Sequence, residues 1–202
     1  MKGVKIFLAD GFEDMEAIST RDILVRGGVD VETVSLREED PFVVSSHGLT
    51  VVADLDRSCF QDAGGASRSD VMIFPGGMPG SKTLSEDKEL MALMVEHYNA
   101  GGTVAAICAA PGLVASQLPG LSGKMFTCFE GFQGSMEAQG AVYCPVKGTV
   151  TDGRLITGRG AGYAVDFGFA ILEYLKGAEQ SSASTPPSAV VLGWSSDGVK
   201  RV

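Results

Sequence analysis

Short apolar runs led by β-branched residues alternate with helix-compatible stretches through most of this chain, and small residues close nearly every run. Residues 4–9 are apolar and strand-like; residues 13–26 suit a helix that Gly27-Gly28 would stop. Residues 29–36 alternate apolar with polar, and residues 71–74 are a fully apolar run closed by Pro75-Gly76-Gly77. Ser85 can cap a helix carrying Met91, Met94, Val95 and Tyr98 on one face, with Gly101-Gly102 ending it. A run ending at Cys108 follows, and then small, helix-compatible residues from Pro111 to Ser116. Alternation of this kind implies an α/β fold: a mostly parallel sheet covered by helices on both faces. Residues 42–44 and 49–53 read as a short β-pair about Ser45-Ser46-His47-Gly48, residues 125–129 as a further strand, and residues 149–157 as a hairpin turning at Asp152-Gly153. Residues 163–175 are apolar nearly all round, which predicts a deeply buried helix.

The chain has 202 residues, 45% of them hydrophobic and 20% charged, enough for one domain with a core that needs no disulfide. Past Gly177 the composition turns to Ser and Pro, followed by Val190, Val191, Leu192 and Trp194, the only tryptophan. The expected division is a domain over residues 1–177 and a linker-like tail over 178–202, dispensable for folding. The formal net charge is −9 and no run of Lys and Arg exists, which argues against a nucleic-acid surface. No apolar run approaches the ~20 residues of a membrane helix. Four cysteines, none in Cys-x-x-Cys spacing, suggest neither a zinc site nor a disulfide framework. Free thiols, with no leader ahead of the first strand, point to a reducing cytoplasm.

Cys108 carries the most chemical information. A buried strand, a sharp turn at the cysteine and a helix would place the thiol at the positive end of a helix dipole, among free backbone N–H groups. Both favour thiolate, the nucleophilic and oxidisable form, and the expectation is a Cys108 that is mostly thiolate at neutral pH. A small core cysteine is the competing reading. In parallel sheets ligands bind at the carboxyl ends of strands, and three loops meet that condition here: residues 9–16, Pro75-Gly76-Gly77 and Cys108-Ala109-Ala110. The glycines allow close backbone approach, and the N–H groups of the second and third loops could form an oxyanion hole. Glu16 is the best local partner for the thiol, since a carboxyl and a thiol side by side cannot both ionise cheaply. Glu13 and Asp14 compete with it, and any of the three could simply serve the helix dipole.

A Cys-His-Asp/Glu hydrolase needs a histidine beside its cysteine, and only His47 and His97 exist. His47 falls in a turn and His97 on the polar edge of a helix, so both read as surface residues. Gly158-Arg159-Gly160-Ala161-Gly162 lacks dinucleotide-binding spacing. No metal site and no cofactor are expected.

Four stretches then match a known pattern in order: Gly11-Phe-Glu-Asp-Met-Glu16, Phe74-Pro-Gly-Gly77, Ala105-Ala-Ile-Cys-Ala-Ala-Pro-Gly112 and Thr157-Gly-Arg-Gly-Ala-Gly162. On these the chain resembles the DJ-one-like branch of the ThiJ/PfpI superfamily, from about Val4 to Gly177. The resemblance implies a flavodoxin-like three-layer sandwich and a homodimer. It maps the reactive cysteine on Cys108, its acidic partner on Glu16, and the backbone N–H groups on Gly77 and Ala109. Cys128 stands where some members carry a histidine, which puts a second thiol within possible reach of Cys108. Ala109 stands where the protease branch carries histidine, an argument against peptidase activity. The implied activities are glyoxalase-type conversion of small 2-oxoaldehydes or deglycation, through a Cys108 hemithioacetal with Glu16 as proton shuttle. The alternative is a redox sensor or chaperone in which Cys108 is oxidised to sulfinate.

Overall fold

The structure is a computed structural model and describes residues 1–62 and 64–177; the expected tail, 178–202, lies outside the described residues. Six strands form the central sheet. In chain order they are β1 (Val4–Leu8), β2 (Val31–Ser35), β5 (Val71–Phe74), β6 (Thr103–Ile107), β9 (Thr149–Asp152) and β10 (Leu155–Gly158). The spatial order is β2-β1-β5-β6-β10-β9, parallel throughout except for the β9–β10 hairpin at one edge. Register places Ile6 opposite Ile73 and Ile73 opposite Ala105. β1, β5, β6 and β10 are buried along their whole length, as strands covered on both faces must be.

Two cores result, one on each face. Phe7, Met72, Phe74, Val104 and Ala106 point to the side covered by α2 (Gly80–Glu86), α3 (Lys88–Asn99) and α4 (Ala110–Leu113). Ile6, Leu8, Ile73, Ala105 and Ile107 point to the side of α1 (Asp14–Arg26) and α6 (Ala164–Lys176), which pack on each other. The alternation along each strand is the period of two that sends successive side chains to opposite faces. The result is the expected three-layer α/β sandwich. A hairpin of β3 (Phe42–Val44) and β4 (Thr50–Val52) leans on the end of β1, with Gly11 N–H bonded to Val44 O at 2.7 Å and Ser46 N–H to Phe12 O at 2.8 Å. On the far side β7 (Met125–Phe126) pairs with β8 (Val142–Tyr143), flanking the short α5 (Gly134–Glu137).

Several sequence expectations change. The helix with Met91, Met94 and Tyr98 inward is capped by Asp87, whose carboxylate accepts the Leu90 N–H at 2.9 Å; Ser85 belongs to α2 and bonds the Lys82 carbonyl instead. Arg57 pairs with the Asp87 carboxylate and fixes that choice from a distance in sequence. The strand expected over 125–129 stops at Phe126. The helix after Cys108 is only four residues long, continued by a 3₁₀ turn at Ala115–Gln117. His97 is not a surface residue: it is buried, its Nε2 lies 3.0 Å from the Thr103 carbonyl, and the absence of a side chain at Gly102 makes room for its ring. α6 buries one face only: Phe167, Gly168, Ile171 and Leu172 enter the core, whereas Val165, Phe169 and Ala170 are half-buried.

Candidate active site

β6 delivers Cys108 to the carboxyl edge of the sheet, at its centre. The residue is half-buried and takes φ = 65°, a left-handed conformation that costs a non-glycine residue roughly 1–2 kcal/mol. The surroundings enforce it. Cys108 N–H donates to the Gly158 carbonyl at 2.9 Å, and the Cys108 carbonyl accepts from Phe129 N–H at 2.8 Å. With both backbone groups tied, the side chain is turned toward Glu16 of α1, and Ala109 and Ala110 after it are buried. Strain held in this way is a common property of functional sites.

α1 brings the carboxylates. Glu13 caps the helix by accepting Glu16 N–H at 2.8 Å, and its own N–H donates to the Gly76 carbonyl at 2.9 Å. Asp14 turns the other way, accepting from Ser45 Oγ at 2.6 Å and bonding His47 Nδ1 at 2.6 Å. Glu16 alone points inward. It is 1% exposed, and its Oε2 accepts Gly76 N–H at 2.7 Å. Its Oε1 is buried with no hydrogen-bond partner, while the carboxyl as a whole interacts with the Cys108 side chain. The three acids that compete in sequence thus have three separate jobs.

Pro75-Gly76-Gly77 threads between the two side chains. A Cβ on Gly76 would sit 2.4 Å from Glu16 Oε2 and 2.5 Å from Cys108 Cβ, so only glycine lets the pair meet there. Gly77 has φ = 91°, and its N–H and that of Ala109 act on the Cys108 thiol in the direction that favours its charged form. Gly76 was not singled out in the sequence as a ligand of Glu16, and Gly158 was not singled out as the acceptor for Cys108. Both sit in the matching motifs, which was the available signal.

Burial dominates the electrostatics of the pair. The Glu16 carboxyl is pushed up to about 7, by desolvation first, against the stabilising Gly76 N–H and the Cys108 side chain. The Cys108 thiol is also pushed up, by desolvation first and then by the Glu16 charge, while the N–H groups of Ala109 and Gly77 pull it down. The simple dipole expectation of a lone thiolate therefore needs correction. α4 is too short to supply a full dipole, and burial together with the Glu16 charge holds the thiol well above its ordinary value while the carboxyl titrates at about 7, so the first charge of this coupled pair rests mainly on Glu16.

Neither histidine reaches this pair. His47 is exposed on Asp14, and His97 is tied to Thr103 in the other core. Cys128 is fully buried among the side chains of the α2–α4 face, whereas Cys108 packs against the α1–α6 face. Phe129, the residue after Cys128, bonds the Cys108 carbonyl through its N–H. Glu13, Asp14 and His47 form the grouping of metal-ligand type among the described residues, with ligand atoms within 4.8 Å of one another; their cap and hydrogen bonds already engage them. No described helix is long and apolar enough to cross a membrane.

The arrangement agrees with known proteins. The model of the DJ-1/PfpI family matches residues 2–174. "Protein DJ-1 homolog B" of Arabidopsis thaliana is 36% identical over 187 residues, covering 92% of this chain and 41% of that protein. The chain spans less than half the length of the two Arabidopsis relatives it matches. "Glutathione-independent glyoxalase DJR-1.2" of Caenorhabditis elegans is 31% identical over 175 residues, covering 87% of this chain and 89% of that protein. The crystal structure of Drosophila melanogaster DJ-1beta superposes with a TM-score of 0.81 at 31% identity, covering 94% of this chain and 98% of that one. A parallel sheet in flavodoxin-like order, a strained cysteine at its carboxyl edge and this match over nearly the whole described fold lead to one assignment: the chain belongs to the DJ-1/PfpI family.

Proposed function

We propose that this chain is a cofactor-independent glyoxalase-type enzyme acting on small 2-oxoaldehydes. The observation that carries the reading is the buried Glu16 carboxyl next to the Cys108 side chain, with one oxygen left without a hydrogen-bond partner and the group titrating at about 7. The Glu16 carboxylate takes the thiol proton, which leaves thiolate beside a protonated carboxyl. Sulfur adds to the aldehyde carbon, and the new oxyanion, held against the N–H groups of Gly77 and Ala109, receives that proton to give the hemithioacetal. The carboxylate, free again, takes the proton from the same carbon and returns it to the neighbouring carbon while the hydroxyl proton passes to the neighbouring oxygen, which converts the hemithioacetal to a 2-hydroxy thioester. Water hydrolyses the thioester and frees the thiol. A carboxyl titrating at about 7 serves both directions of that transfer.

Purified protein is expected to convert methylglyoxal to lactate without glutathione, and Cys108→Ser to abolish turnover. If the two proteins are indistinguishable, the enzyme reading fails. Absent turnover combined with peroxide-dependent sulfinylation of Cys108 would favour the redox-sensor reading, which the half-buried position of the thiol also supports. Ala109 after the cysteine supports no peptidase role.

A homodimer belongs to the same proposal. The small residues of α1 do not offer its surface: Ala17, Thr20 and Leu24 face the chain's own core, and Gly27 abuts Leu172 of α6. The outer side of α1 instead exposes Met15 and Ile18, and the β3–β4 hairpin exposes Val44, Leu49 and Val52. An apolar surface of this extent suits a self-association face. Light scattering at micromolar concentration is expected to give twice the monomer mass, and Ile18→Glu to shift it toward monomer. A wild-type monomer would reject the dimer.

A further inference from the structure

Two buried side-chain oxygens have no hydrogen-bond partner among the described residues, and both sit on α1: Glu16 Oε1 and Thr20 Oγ1. Thr20 is fully buried and Glu16 is 1% exposed. The two residues are four apart, so their Cβ atoms lie roughly 5–6 Å from each other on one face of the helix. Each Cα–Cβ bond of a helix tilts toward its N-terminus, which leans Thr20 toward Glu16. We propose that Thr20 is a positioning residue for Glu16: its hydroxyl reaches the free carboxylate oxygen through one bridging water and holds the carboxylate in its charged, proton-accepting form. The assignment rests on the proton transfer proposed above for Glu16.

Elimination supports that partner. A Ser or Thr hydroxyl in a helix commonly returns to the carbonyl four residues back. Thr83 does so to Pro79 at 3.3 Å and Ser116 to Gly112 at 2.7 Å, whereas Thr20 makes no such bond. The core around it is apolar. The other buried residues of α1 are Ala17, Ile23 and Leu24, and α6, packed on α1, answers with Phe167, Gly168 and Ile171. Glu16 is the one polar side chain buried on α1 beside Thr20. A buried water needs at least two polar partners, and these two oxygens supply them. The groups facing the carboxyl are few. Glu13 on α1 and Cys108 after β6 act on it, the loop after β5 gives the Gly76 N–H to Oε2, and His47 of the β3–β4 hairpin is taken by Asp14. A hydrogen bond to the charged form favours that form, so the Thr20 link opposes the desolvation that keeps a proton on Glu16.

Carbon-13 labelling of glutamate, with Glu16→Gln identifying the signal, lets the Glu16 carboxyl be titrated in the intact protein. Thr20→Val removes the hydroxyl at nearly constant shape and is expected to raise the midpoint by about one pH unit, a tenfold weaker acid. Thr20→Ser restores a hydroxyl and is expected to bring the midpoint back to that of wild type. In methylglyoxal turnover, Thr20→Val should move the acidic limb of the kcat profile upward by the same amount, with KM changed by less than about two-fold. A midpoint that Thr20→Val leaves in place would overturn the proposal. So would a Thr20→Ser midpoint that follows the valine variant, since packing rather than the hydroxyl would then act on Glu16. The titration needs no activity: a valine shift that serine reverses, in a protein that leaves methylglyoxal untouched, upholds the Thr20–Glu16 link and overturns only the glyoxalase reading.

Discussion

Glu16→Gln is expected to abolish methylglyoxal turnover, leave an alkylatable Cys108 thiol, and make the folded protein more stable above neutral pH. The glutamine keeps a donor toward sulfur but has no proton to transfer, so the isomerisation step has no base. The stability gain follows from the burial of the carboxyl. Its ordinary value is 4.5 and its folded value is about 7. A carboxyl raised in the folded state binds more protons there than in the unfolded chain, so it costs stability progressively as pH climbs from about 4.5 to about 7 and the full cost remains above. The ceiling is about 3 kcal/mol, and shared charge with Cys108 reduces it. Denaturant melts at pH 5 and pH 8 should therefore differ more for wild type than for Glu16→Gln. The alkylation rate of wild type should still be climbing well above neutral pH, because burial and the Glu16 charge both hold the thiol up. In the variant a single thiol ionisation remains, moved to higher pH by burial. A wild-type inflection near ~8.5, the value of an ordinary thiol, would mean that the pair is not coupled. Normal turnover by Glu16→Gln would remove Glu16 from the mechanism.

Gly76→Ala is the second large effect, and it isolates the meeting of the two side chains. Gly76 does not carry the positive φ of its neighbour, so its backbone accepts alanine; the added methyl is what cannot fit. It would overlap Glu16 Oε2 at 2.4 Å and Cys108 Cβ at 2.5 Å and crowd the sulfur at 3.0 Å. Displacing the reacting groups by about 1 Å can cost on the order of 100-fold in rate, and that is the expected loss in kcat/KM. Gly77→Ala should behave differently. Its φ of 91° and a Cβ 2.4 Å from both Glu13 N and Gly11 O put the strain in the backbone, so thermal denaturation should show the main damage. Comparing melting temperature with turnover for the two variants separates the roles. Turnover by Gly76→Ala at the wild-type rate would show that catalysis does not need the Glu16–Cys108 contact.

Local pattern was enough for the sheet. Residues 71–74 and 104–107 are apolar on every position, and Pro75-Gly76-Gly77 and Cys108-Ala109-Ala110 follow them, so strand, turn and the site's place at the carboxyl edge are written in neighbouring residues. Asp87 as the cap was missed because its selection rests on Arg57, 30 residues earlier. The buried state of His97 was missed for a similar reason: a histidine on a polar helix edge looks solvated until Gly102 opens space and the Thr103 carbonyl takes its ring nitrogen.

The chain by itself determined the α/β alternation, the strained-turn cysteine and the set of acids within reach of it, because period and turn chemistry act between residues a few positions apart. Only the tertiary structure decided which acid meets the thiol and what that meeting does to both. Glu13 caps α1 and Asp14 and Glu16 lie two steps of about 100° apart around it, and which of them meets the thiol depends on how the helix is rotated against β6. That rotation is set by packing on α6 and by the Gly76 N–H bond to Glu16, 60 residues away in sequence. Burial, which raises both groups and forces one charge to serve two side chains, exists only once those distant elements close over the site.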